Sequence, residues 1–125
     1  MRLKNCIVQL LILCLAYLFT SVSSSSEYDV DGNGVDDPLT DGLLVLRHQF
    51  GLSGSALTAG TLASNATVTD PSELANYIDE RTVIFDLDGN GFLDPLTDGL
   101  LLLRYLFGLS GDAMTNGVIG LGATR

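Results

Sequence analysis

Apolar and polar positions fall in alternating blocks along this chain, and the blocks recur. Residues 29 to 54 read DVDGNGVDDPLTDGLLVLRHQFGLSG and residues 86 to 111 read DLDGNGFLDPLTDGLLLLRYLFGLSG. They differ at six of 26 aligned positions, and their starts, residues 29 and 86, set a period of 57 residues. Such a period fixes the architecture before any single residue is considered. Each copy is polar first and apolar afterwards. Leu43, Leu44, Leu46 and Phe50 in the first, and Leu100, Leu101, Leu103, Leu106 and Phe107 in the second, recur at helical spacing. Asp37-Pro38 and Asp94-Pro95 supply a helix cap followed by proline in the first turn. Gly51-Leu52 and Gly108-Leu109 supply a glycine stop.

Between the copies, residues 55 to 69 are small and polar and read as a connector. Asp70-Pro71, with Glu73 behind it, opens a short helix through Leu74, Ala75, Tyr77 and Ile78. Thr82-Val83-Ile84-Phe85 is β-prone and is expected to be extended. The tail from Gly111 repeats the connector, with Ala123-Thr124 in register with Ala66-Thr67. No counterpart of the Pro71 to Ile78 helix follows, so the chain is either truncated at its C-terminus or ends inside a degenerate repeat. The expected fold class is all-α: two loop–helix units (29-54 and 86-111) joined by a short connecting helix, in one domain at 27-125. The two Leu-rich faces are expected to bury each other, with Arg47 and Arg104 at an interface.

The polar halves carry the chemistry. Oxygen-bearing side chains stand at positions 1, 3, 5 and 9 of each loop, with glycine at position 6: Asp29, Asp31, Asn33 and Asp37, then Asp86, Asp88, Asn90 and Asp94. A calcium ion takes six to eight oxygens, and a turning loop brings alternate side chains inward. Gly34 and Gly91 suit the sharp bend. The carbonyls of Val35 and Phe92 stand at position 7, where a backbone ligand is expected. A closing acid belongs at position 12, but Thr40 and Thr97 occupy it and the acid comes one residue later. Asp41 and Asp98 are therefore expected to close the shell. The alternative is that water closes it and these acids favour only the helix start. Asp36 faces Leu93 in the other copy and is left out of the set. Two Ca2+ ions are expected.

The motif DxDGNGxxD, followed by a Leu-rich helix carrying Arg47 or Arg104, resembles the dockerin family and, more broadly, EF-hand-like calcium loops. The resemblance covers about half the chain. It implies paired calcium units that bind a cohesin-like receptor, in assemblies that degrade polysaccharides. The sequence differs from the family just after position 9, where Pro38-Leu39 and Pro95-Leu96 replace small hydroxyl residues.

The leader changes the setting. Arg2 and Lys4 precede an apolar run from Cys6 to Phe19, broken only by Gln9, and small residues follow it. This reads as a signal peptide over 1-26, hence a secreted or extracellular protein with no membrane contact after cleavage. An uncleaved anchor is the alternative. Both cysteines lie in the leader, so a mature chain has no disulfide to staple a small core, and a bound metal can serve instead. Loss of the leader leaves four arginines against fifteen acids, nine of them in the loops. Such a balance offers nothing to nucleic acid.

His48 is the lone histidine and stands opposite Tyr105 in the other copy, which argues against a shared metal role. No nucleophile–base set can be assembled after the leader, and no enzyme is expected. Asn65-Ala66-Thr67 matches a glycosylation sequon, a triplet that also arises by chance. Two functions stay open: a secreted calcium-binding module that docks another protein, and a calcium-rigidified structural repeat of a larger surface or matrix protein.

Overall fold

In a computed structural model of the protein, residues 26 to 125 are described. The expected signal peptide, apart from its last residue, lies outside them. The described residues form helices and turns, and no strand is found among them. Six helices follow in order: α1 (Leu43–Gln49), α2 (Ser55–Thr58), α3 (Pro71–Asp79), α4 (Thr82–Phe85), α5 (Leu100–Leu106) and α6 (Asp112–Thr115). The fold is all-α, as the periodicity implies.

Each loop runs into its long helix through a wide turn, Pro38–Gly42 before α1 and Pro95–Gly99 before α5. The turn is one residue looser than an α-helix: the Gly42 N–H donates to the Asp37 carbonyl and that of Gly99 to Asp94, both at 3.2 Å. Its start is the expected cap. Asp37 Oδ1 accepts from the Leu39 N–H at 2.7 Å, and proline fills the first position, where no donor is needed. The helix ends as the glycine predicts. Gly51 has φ +80°, its N–H donates to the His48 carbonyl, and the Leu52 N–H donates back to Arg47. This paired closure satisfies carbonyls that the last turn leaves open.

The two units clasp each other. α5 lies on the wide turn before α1, and α1 lies on the wide turn before α5. The approach is close enough to need glycine. A Cβ on Gly42 would stand 2.9 Å from Leu103 Cδ1, and one on Gly99 2.6 Å from Leu46 Cδ1. Leu44, Val45, Leu101 and Leu102 are buried, Leu44 together with Leu74 and Ile78 of the later helix α3, while Leu46, Leu103 and Leu106 are the side chains that reach the other unit's wide turn. Phe50 and Phe107 fall just past the helix ends and are more than half exposed, so they do not extend the buried faces.

Helix α3 forms where the cap signal placed it. Asp70 Oδ1 accepts from Ser72 and Glu73 N–H groups at 2.9 and 3.1 Å. Leu74 and Ile78, one turn apart, enter the core with Leu44, Leu57, Val30 and Phe85. His48 Nε2 meets Asp79 Oδ1 at 2.7 Å and ties α3 to α1, which gives the histidine a structural role.

Two expectations are corrected. Thr82–Phe85 is a helical turn, not an extended segment: the Asp86 N–H donates to Thr82 O at 2.8 Å and the turn drives Phe85 into the core. Burial of one large aromatic outweighs the β preference of a four-residue stretch that has no partner strand. Arg47 and Arg104 are committed inside their units. Arg47 Nη1 lies 2.8–3.3 Å from the carbonyls of Ala56, Leu57 and Ala59 at the end of α2, and Arg104 Nη1 lies 2.9–3.5 Å from those of Ala113, Met114 and Asn116 at the end of α6. Each guanidinium serves orphan carbonyls of a short helix. No helix of the described residues is long and apolar enough to cross a membrane.

The close approach at the wide turns yields a test. Gly99→Val is expected to lower unfolding free energy by about 1–3 kcal/mol through overpacking against Leu46. A denaturation midpoint equal to that of the parent would show that the clasp has slack.

Candidate metal centre

Asp29, Asp31 and Asp41 converge. One carboxylate oxygen from each lies within 4.8 Å of the others, and Asp86, Asp88 and Asp98 converge in the same way. The first acid of each triad is partly exposed, while Asp31, Asp41, Asp88 and Asp98 are at most 1% exposed. The acid displaced by one position is thus brought to the loop. The wide turn does this: its extra residue swings Asp41 back beneath Val30 and Asp31.

Backbone N–H groups hold the carboxylates in place. Asp41 Oδ1 accepts from Val30 at 2.7 Å and Asp31 at 3.1 Å, and its Oδ2 accepts from Asp37 at 2.9 Å. Asp98 accepts from Asp88 at 3.2 Å and Asp94 at 2.9 Å. Asp29 takes the N–H groups of Asn33 and Gly34, and Asp86 those of Asn90 and Gly91. Gly34 and Gly91 have φ of +88° and +87°, the left-handed bend for which glycine was expected.

The other expected ligands make the following contacts. Asn33 Oδ1 and Asn90 Oδ1 each accept the N–H two residues on, from Val35 and Phe92, at 2.8 Å. Val35 and Phe92 are exposed, at 57% and 74%, and it is their N–H groups that bond within the loop. Asp37 and Asp94 each use Oδ1 to cap the wide turn and stand outside the triads.

One set of contacts was not foreseen. The connector straps the first loop. Ala63 N–H donates to Asp31 Oδ2 at 2.9 Å, the Thr67 and Val68 N–H groups donate to the Asp31 carbonyl, and Thr67 Oγ1 donates to the Gly32 carbonyl at 2.7 Å. The tail straps the second loop through the equivalent residues. Gly120 N–H reaches Asp88 Oδ2 at 2.7 Å, Thr124 and Arg125 N–H groups reach the Asp88 carbonyl, and Thr124 Oγ1 reaches Gly89 O at 2.8 Å. The recurrence of Ala-Thr was the visible signal; its role is visible only in the fold. It also accounts for the threonine of the Asn65-Ala66-Thr67 triplet, whose hydroxyl holds the loop.

Charge is the outstanding feature of both triads. Among the described residues the ion pairs are His48–Asp79 and Arg81–Glu80, and neither touches a triad. Burial pushes the Asp41 carboxyl above its ordinary value, the N–H groups of Asp37, Asp31 and Val30 oppose this, and the neighbouring Asp31 charge adds to it. Burial likewise raises Asp98, with the charges of Asp88 and Asp86 adding to it. Three carboxylates held this close repel one another unless a cation joins them. The donor set is oxygen only, with no thiolate or imidazole, which suits a hard cation. Each triad can hold one metal ion. Comparison with protein-family models, with curated proteins and with solved structures finds no match for this chain.

Two outcomes follow. A carboxyl whose folded pKa is raised stabilises the fold below its unfolded pKa and loses that contribution as pH rises through the folded one. In chelator, the melting temperature is therefore expected to fall as pH rises above the ordinary carboxylate value of about 4, and a saturating divalent cation should abolish the fall. A rise in chelator above that value would mean that the triads are not under charge strain. Separately, Thr124→Val removes the strap's hydroxyl, a loss on the order of 0.5–1.5 kcal/mol, and hydrogen exchange should quicken at Asp88 to Asn90 but not at Asp31 to Asn33.

Proposed function

We propose that the chain is a calcium-binding module of dockerin-like design, secreted, whose two Ca2+ ions order a surface for docking another protein. The observation that carries this reading is the pair of buried carboxylate triads without a basic partner, built twice from the same motif. Calcium is favoured over smaller ions by the crowd of available oxygens: three carboxylates, the Asn33 or Asn90 amide, and the loop carbonyls of Val35 or Phe92. Magnesium demands a tighter octahedron and keeps its water. The sequence motif DxDGNGxxD supports the same choice. Extracellular modules bind calcium at about 10⁻⁴–10⁻³ M, so ambient calcium would keep such a module folded.

The docking surface is supported by exposed apolar side chains that recur in register: Leu39 with Leu96, Phe50 with Phe107, and Leu52 with Leu109, all at least 40% exposed. Pro38-Leu39 and Pro95-Leu96 stand where dockerins carry small hydroxyl residues, so the receptor is one that takes apolar side chains at those points. Assemblies that degrade polysaccharides are one setting for such a module. The chain itself is proposed to bind and not to catalyse.

The equivalence of the two straps favours a second reading. A repeat that carries its own strap can be strung into an array, and calcium would then stiffen part of a larger surface or matrix protein. Affinity capture from the native secretome, with calcium and with chelator, separates the two: a single calcium-dependent protein partner supports docking, and its absence supports the structural repeat.

Helical content read by circular dichroism should rise when calcium is added to metal-stripped protein. Asp29→Ala with Asp86→Ala should abolish the rise. Spectra that are the same with calcium and with chelator would refute metal-coupled ordering.

A further inference from the structure

Asparagine followed by glycine is a labile pair, because the glycine nitrogen has no side chain beside it and can attack the asparagine carboxamide. The chain holds three such pairs: Asn33-Gly34, Asn90-Gly91 and Asn116-Gly117. In the two loops the pair is pinned. Gly34 N–H donates to Asp29 Oδ2 at 2.7 Å, and Gly91 N–H to Asp86 Oδ2 at 2.8 Å. The carboxamide is held as well: Asn33 Oδ1 accepts from Val35 and Asn90 Oδ1 from Phe92, both at 2.8 Å. Closing a succinimide ring turns the chain about the asparagine Cα–C bond. In either loop that turn breaks both hydrogen bonds, one of them to a carboxylate.

Asn116-Gly117 is open. Both residues are exposed, and the Gly117 N–H finds no acceptor among the described residues. With the Asn116 carbonyl left in place, ring closure breaks the bond from the Asn116 N–H to Asp112 O, at the frayed end of the four-residue helix α6. Exposure belongs to the turn itself: Ala59 and Gly60, the equivalent residues of the first unit, are exposed beside α3 as well. Alanine has no carboxamide, so the first unit lacks the reactive group at this point.

Arg104 adds a direction to the chemistry. Its Nη1 donates to the Asn116 carbonyl at 2.9 Å. A succinimide can be opened by water at either of its carbonyls. Opening at the side-chain carbonyl gives aspartate, and opening at the main-chain carbonyl gives isoaspartate. The Arg104 donor is aimed at the main-chain oxygen, where negative charge develops as water adds. It then faces the carboxylate that isoaspartate leaves at that place, a charge-assisted pair.

We propose that Asn116-Gly117 is a site of spontaneous modification at which Arg104 directs the product to isoaspartate. The Gly117 nitrogen bonds to Asn116 Cγ, the Cγ–Nδ2 bond breaks, and the Gly117 proton leaves with the amide as ammonia. Water then adds to the main-chain carbonyl carbon of residue 116. The bond from that carbon to the Gly117 nitrogen breaks, one water proton passes to the nitrogen, and the new carboxyl releases the other. The chain now runs through the β-carbon and is one methylene longer. The lengthening falls between the point that Arg104 holds and the strap, where Gly120, Thr124 and Arg125 N–H groups close on Asp88. It slackens the strap of the second loop and leaves that of the first as it was. The site lies outside both triads, and its reaction needs no cation.

The test is prolonged incubation of the folded chain in calcium at mildly alkaline pH. Peptide mapping by mass spectrometry, with electron-transfer fragmentation, tells isoaspartate from aspartate. Asn116 should convert about tenfold or more faster than Asn33 and Asn90, the worth of the two hydrogen bonds that hold each loop pair. In urea the three should convert at like rates. The ratio of isoaspartate to aspartate at residue 116 should be higher in the folded chain than in urea. Ala59→Asn should give the first unit the same reaction with the same bias, because Arg47 Nη1 lies 2.8 Å from the Ala59 carbonyl. Arg104→Gln should bring the ratio at residue 116 down to its value in urea; should that variant disturb α6, the parent chain compared folded and in urea decides the matter by itself. A folded-state rate at Asn116 no greater than those at Asn33 and Asn90 would overturn the proposal. So would a ratio of products in the folded parent equal to that in urea.

Discussion

Repulsion among buried carboxylates is the constraint around which this small protein is arranged. Asp31 and Asp41, with Asp29 at the edge, hold three negative charges in one spot, and the second loop does the same. The four arginines of the described residues are engaged elsewhere or lie beyond ion-pair reach of the triads. Backbone N–H groups offset part of the strain, because several of them point at each carboxylate. They do not supply a full charge. A divalent cation does, and for a domain with few core residues it would add the stability that apolar burial alone provides sparingly.

That constraint explains the shape of the repeat. A regular α-helix begun at Pro38 would not carry Asp41 to the loop; the looser turn does, at the expense of one regular helical hydrogen bond. The same turn needs a glycine at its end because the other unit's helix lies on it, so Gly42 and Gly99 link metal-site geometry to the packing of the units. The straps complete the arrangement. Asp31 and Asp88 each accept N–H groups from about thirty residues downstream, so a loop that is local in sequence is closed by a distant segment. Each unit therefore runs from its loop to its strap, longer than the conspicuous 26-residue repeat.

Much of this was legible from residues. Period, caps and glycine stops located α1, α3 and α5, because each signal rests on a local backbone requirement that tertiary context does not overturn. The convergence of Asp41 and Asp98 was expected, although the count along the loop puts Thr40 and Thr97 at the closing position and left closure by water as the alternative. What was not legible depends on distant partners. Thr82–Phe85 has the composition of a strand, yet its fate was decided by the core position open to Phe85. Arg47 and Arg104 look like surface residues until the carbonyls at the ends of α2 and α6 are placed beside them. The Ala-Thr recurrence was visible as a pattern, but hydrogen bonding across more than thirty residues gives no local cue.

The most direct test of the account is isothermal titration of metal-stripped protein with calcium at millimolar concentration. The account predicts heat corresponding to two ions per chain, reduced to one in Asp41→Ala or in Asp98→Ala. A flat trace from the parent protein would contradict it.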